Sequence, residues 1–156
     1  MTVSHSLKTA LWEADRHLQV LESALNDWYQ APAANMAELE MNQERLRILD
    51  QVLFRLTKLQ DAMGQRLIPA TLAALSEPCE DWPMIDRLNR LEKLGFLDVD
   101  AWLRWRETRN RLAHEYPDHV DIRFAALLSA VDMAAELTHG YRSWRAKLES
   151  QLIGKP

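Results

Sequence analysis

The chain has 156 residues, enough for one domain with a substantial core, and carries a net charge of −4. That charge argues against a general nucleic-acid coat, so any contact with nucleic acid has to be local. Glycine (four) and proline (six) are scarce, 47% of residues are apolar, and Leu, Ala, Glu, Arg and Gln dominate over β-branched types, a helical composition.

The first expected element is a long amphipathic helix. Leu7, Leu11, Ala14, Leu18, Leu21, Leu25 and Trp28 recur at alternating steps of four and three. Ser4 or Ser6 is placed to cap it, and "QAPAAN" (30–35) ends it, because Pro32 cannot continue the ladder. No apolar run approaches the roughly 20 residues of a membrane span. The opening "MTVSHSLKTALWEADRH" also lacks the apolar core of a secretory signal.

A second helical pattern starts near Met36. Leu46, Leu49, Leu53, Leu56, Met63 and Leu67 share one face, with Ile48, Val52 and Leu59 beside it. Pro69 lies inside the pattern and predicts a kink or break, after which "ATLAAL" resumes the helix. "SEPCEDWP" is the clearest loop. It holds Cys79, the single cysteine, which excludes an internal disulfide, fits a reducing cytosol and reads as structural.

Asp81 is the expected N-cap of a third, short helix, with Pro83 in its first turn; Ile85, Leu88, Leu91 and Leu94 form its face and Gly95 its left-handed end. Asp98 or Asp100 starts a fourth helix, carrying Trp102, Trp105 and Leu112 to about Tyr116. Asp118 is the expected cap of the fifth, with Asp121 in its first turn. That helix should run to about Leu152 with Ile122, Ala126, Met133, Leu137, Tyr141 and Trp144 inward. No strand shows period-2 alternation, and no repeat or low-complexity segment is present. The expected fold is therefore a single all-α domain over 1–156, an up-and-down antiparallel bundle of about five helices. Six tryptophans and one-sided stripes also leave apolar surface that a second copy could cover.

The unusual segment is "WLRWRETRNRLAH" (102–114). Arg104, Arg106, Arg109 and Arg111 against the single acid Glu107 make it locally +3. At about 100° per residue, Arg106, Asn110 and His114 stack at successive turns. Arg109 instead shares the stripe of Trp102, Trp105, Leu112 and Tyr116, where the pattern calls for an apolar residue. A buried arginine needs a compensating partner or a solvated cleft.

Cleavage of RNA by internal attack of the 2′-hydroxyl calls for an acid–base group near neutral pKa, which histidine supplies. It also calls for a cation fork on the phosphate, which arginine supplies, with a polar neighbour such as Asn110 to orient. The bland readings stand beside this one. His114 can be a helix-end histidine at the negative dipole end, Arg104 and Arg111 a solvated face, the tryptophans core or dimer seam, and Tyr116 before Pro117 a helix terminator. No HExxH or CxxC spacing, glycine-rich phosphate loop or nucleophile elbow occurs, so neither metal nor cofactor is called for. Arg-x4-His alone is expected about 0.4 times by chance in this composition, and adding a tyrosine two places later brings this to roughly 0.01.

"RNRLAHEY" resembles the Arg-x4-His-x-Tyr signature of the HEPN superfamily, with Arg109, His114 and Tyr116 at the matching positions and Asn110 at the polar position after the arginine. "FRLTKLQDAMG" (54–64) is similar to the second long helix of the branch paired with minimal nucleotidyltransferases, often labelled nucleotidyltransferase substrate-binding protein. The resemblance implies a helical homodimer with both motifs facing one cleft. It implies a toxin-like, metal-independent endoribonuclease whose antitoxin is a minimal nucleotidyltransferase, and the cytoplasmic location expected for it rests on the lone cysteine and the missing signal. Arg109 would bind phosphate, His114 would transfer protons, Asn110 would orient, and Tyr116 would match a tyrosine that the antitoxin modifies by adenylylation. Arg104, Arg106, Arg111, Lys58 and Asp61 are candidate RNA or nucleotide contacts. The alternative is a non-catalytic module that presents substrate or nucleotide to a nucleotidyltransferase.

Overall fold

The computed structural model describes residues 4–112 and 118–153, and all its regular structure is helical. Helix α1 (His5–Gln30) starts where Ser4, in extended backbone, accepts from the Leu7 amide, settling the choice between Ser4 and Ser6. Every residue of its expected stripe, from Leu7 to Trp28, is buried.

The second pattern divides in two, α2 (Met36–Met41) and α3 (Gln43–Ala62). Asn42 makes the division: it leaves helical geometry at φ −123°, and its side chain accepts from the Arg45 amide. An asparagine mid-pattern offers the backbone a local alternative to the helix ladder, and here that alternative prevails. Leu49, Val52, Leu56 and Leu59 of α3 are buried against α1.

Pro69 neither breaks nor stops the chain. The missing proline N–H would leave the Gln65 carbonyl without its usual helical donor. The backbone absorbs this in one wide turn, Met63–Leu67, where the Ile68 amide reaches back five residues to the Met63 carbonyl. Helix α4 (Ile68–Ala74) then continues. It ends in a Schellman arrangement, with the Glu77 amide on the Leu72 carbonyl, the Ser76 amide on the Ala73 carbonyl, and Ser76 at φ +62°.

Helix α5 (Met84–Lys93) begins after Pro83, not under an Asp81 cap. The Asp81 expectation fails because the chain turns earlier, with the Trp82 amide on the Cys79 carbonyl, and Arg87 satisfies the carbonyls of Cys79 and Glu80. Its end matches expectation: Gly95 at φ +83° and the Phe96 amide on the Leu91 carbonyl. Cys79 is buried and free.

Helix α6 (Val99–Arg111) is capped by Asp98, whose carboxylate accepts from the Asp100 and Ala101 amides. Its expected extension to Tyr116 lies outside the described residues. Helix α7 (Val120–Leu148) closes the fold, extended by a wide turn, Glu149–Ile153. Asp118 does not cap it; the cap position is His119, which makes no side-chain cap bond. Met133, Leu137, Tyr141 and Trp144 are buried as expected, but Ala126 is only half-buried and Ile122 is 50% exposed. The α7 face is thus covered only from about Ala130 onward.

Cross-helix bonds knit these layers. Arg45 reaches the Ala31 carbonyl, Arg55 reaches His17, and Arg66 pairs with Glu13, so α1 and α3 run in opposite senses. On α7, the buried Tyr141 hydroxyl donates to Asp15 (2.6 Å), which also accepts from Arg145. Burial, and next the adjoining Asp15 carboxylate, push the Tyr141 phenol well above the usual range. No helix among the described residues is long and apolar enough to cross a membrane.

Candidate functional site

Helix α6 is held by two indoles. Trp102 and Trp105 pack edge to face with centroids 6.2 Å apart, and Trp105 Nε1 donates to Glu136 of α7 at 2.9 Å. Both rings sit where a neighbour has no side chain. A Cβ on Gly64 would lie 3.3 Å from Trp102, and one on Gly140 would lie 2.9 Å from Trp105. Arg109, one turn on from Trp105, shares this inward face of α6 and reaches α3.

There it meets Asp61. Arg109 Nη2 lies 3.0 Å from one carboxylate oxygen and 3.2 Å from the other. The arginine on the apolar stripe is therefore half-buried and paired, which explains how an aromatic helix face tolerates it. Its Nε is buried with no partner among the described residues.

The remaining sequence candidates separate by face. Asn110, Arg104, Arg106 and Arg111 are exposed. Arg111 is tied to Glu107 (2.7 Å) and Arg104 lies near Glu136 (3.8 Å), while Arg106 has no carboxylate partner among the described residues. His114 and Tyr116 lie outside the described residues. On α3, Lys58 is exposed and lines the same cleft as Asp61. The structure thus joins Arg109, Asp61 and Lys58 on the α3 side and leaves Arg104, Arg106, Asn110 and Arg111 on the solvent side.

That cleft, about 600 Å³, also holds residues that sequence reasoning missed: Trp12, Glu13, Arg16 and His17 of α1, with Arg66. His17 Nδ1 lies 3.0 Å from Arg55 Nη1. Since the guanidinium can only donate, Nδ1 is the acceptor, and neutral His17 carries its proton on Nε2. Burial, then the Arg55 charge, hold the His17 pKa below its ordinary value. Glu13 is held below the usual carboxylate range chiefly by its hydrogen bond from Arg66. The available signal was "WEADRH", where Trp12 falls off the apolar stripe beside Arg16 and His17. Among the described residues no three His, Cys, Asp or Glu side chains are grouped to hold a metal ion.

No family model, curated protein or solved structure matches the chain.

Proposed function

We propose that this chain is the toxin of a HEPN/minimal-nucleotidyltransferase pair: a cytoplasmic, metal-independent endoribonuclease working as an up-and-down helical homodimer, with both Arg-x4-His motifs facing one cleft. The observation that supports it most is Arg109. A guanidinium whose buried Nε has no partner among the described residues stands at a stripe position that packing alone would fill with leucine. A helix that needed only a core face has no use for it.

In this reading the RNA 2′-hydroxyl attacks the adjoining phosphorus. The P–O bond to the 5′-oxygen breaks, leaving a 2′,3′-cyclic phosphate and a 5′-hydroxyl. His114 moves the proton, Arg109 holds the phosphate and offsets its developing charge, and Asn110 orients. Arg104, Arg106, Arg111 and Lys58 hold flanking phosphates. Tyr116 is the residue that a nucleotidyltransferase antitoxin would adenylylate.

The test is cleavage of a defined RNA in EDTA by the parent and by His114→Ala and Arg109→Ala. Cleavage lost in both folded variants supports the reading; full activity in either removes that residue from the site. One observation favours a second reading, a non-catalytic module docking on a nucleotidyltransferase. Arg109 is already ion-paired with Asp61, so its fork is partly occupied. Inactivity of the folded, unmodified parent, together with a stable complex with that enzyme, would select this alternative.

A further inference from the structure

The α1/α3 face, made of this cleft with Phe54 and Arg55 beside it, combines charge and exposed rings in a way that the core does not require. Trp12 is 61% and Phe54 52% exposed. Each ring carries cations: the Arg16 guanidinium carbon is 4.8 Å from the Trp12 centroid, while Arg55 and Lys58 lie 5.4 and 5.5 Å from that of Phe54. The acids here, Glu13 and Asp61, are each committed to an arginine, Arg66 and Arg109. Arg16, Arg55 and Lys58 have no carboxylate partner among the described residues, so the face is locally positive on a chain of net charge −4.

Cations interleaved with exposed aromatic rings are what an unpaired nucleic-acid strand needs, since its phosphates seek charge and its bases have free faces to stack. A duplex hides those faces. A second copy of this chain is a poor occupant. A twofold contact sets a patch against itself, which here would put Arg16, Arg55 and Lys58 against their own copies. Asp61 both lines this cleft and holds Arg109, which makes the face continuous with the end of α6.

We infer that this face is a track for single-stranded RNA, with bases stacking on Trp12 and Phe54, phosphates on Arg16, Arg55 and Lys58, and the strand leading toward Arg109. Its purpose rests on the ribonuclease reading, but its chemistry does not. His17 sits between the two helices and holds Arg55 in place as a positioning residue, through the 3.0 Å bond.

The experiment is fluorescence anisotropy of a labelled RNA of about 12 nucleotides, a length within the usual site size for such grooves. The protein is the full chain carrying His114→Ala, so that binding is read without cleavage. The three cations of the track should contribute about −2 to the slope of log affinity against log salt. The Arg16→Ala/Arg55→Ala/Lys58→Ala triple variant should make the slope shallower by about that amount. Trp12→Ala should weaken binding roughly tenfold at unchanged slope. All these side chains are at least partly exposed, and circular dichroism checks that the variants fold.

Equal affinity in parent and triple variant overturns the track. So does duplex RNA or free AMP binding as tightly as the single strand, or a triple variant that changes only self-association in sedimentation. Cleavage assayed separately in the parent keeps the two ideas apart. Binding with no cleavage sinks the nuclease reading and leaves the track, and cleavage that survives the triple variant does the reverse.

Discussion

If Arg109 is tolerated on an apolar stripe because Asp61 meets it, removing Asp61 should harm the protein more than removing both charges. At 3.0 Å the pair's Coulomb energy is about 5.5 kcal/mol at an effective dielectric of 20, and roughly 1.4 kcal/mol in bulk water. The two side chains are 36% and 33% exposed, so screening brings the coupling toward the lower figure, about 1–2 kcal/mol. Asp61→Ala leaves a guanidinium whose Nε is buried and should cost about 2 kcal/mol. Arg109→Met keeps the aliphatic stem against α3 and should cost about 1 kcal/mol, and the double variant about 1.5 kcal/mol. For a chain of this size each kcal/mol is about 2–4 °C in Tm. Urea unfolding followed by fluorescence of the six tryptophans measures the cycle, with midpoint shifts read at constant m. Because part of the pair is solvated, coupling should fall in 1 M salt. Costs that add to within about 0.3–0.5 kcal/mol would refute the pairing as the reason for an arginine here.

Gly140→Ala places a Cβ 2.9 Å from the tip of Trp105, a buried ring bonded to Glu136, and should destabilise by about 1–3 kcal/mol in urea; an unchanged midpoint would show that the ring moves freely. Ser76→Gly should stabilise by about 0.5–1 kcal/mol, because Ser76 holds the left-handed end of α4 at φ +62°, and a loss of stability would contradict that account. His17 has a folded pKa below its ordinary 6.5, so the unfolded chain takes up the proton first. Its contribution is whole above about pH 6.5 and declines as pH falls through the folded pKa. Urea midpoints at about pH 7.5 and 5.5 should therefore differ in the parent and differ less in His17→Asn, whose facing charges Glu13, Arg16, Arg55 and Lys58 are unchanged.

What the sequence determined by itself was local. The buried face of α1, the caps of α1 and α6 to within a pair of candidates each, the left-handed Gly95 and the disturbance at Pro69 all depend on residues within about four or five positions of one another, a distance over which backbone chemistry is decisive. Even at this range some competitions were close: Asn42 turned one pattern into two helices, and the turn after Cys79 displaced the Asp81 cap. Periodicity marked Arg109 as out of place but could not say what it faced. Asp61 is 48 residues away, and which helices meet depends on loop paths and on where two glycines let indoles in. The same holds for the cleft, because Arg55 reaches His17 across 38 residues. A stripe also says which face is apolar, not whether anything covers it, and so Ile122 keeps the pattern yet stands in solvent. Register across helices is a sum over the whole core, and only the tertiary structure evaluates it.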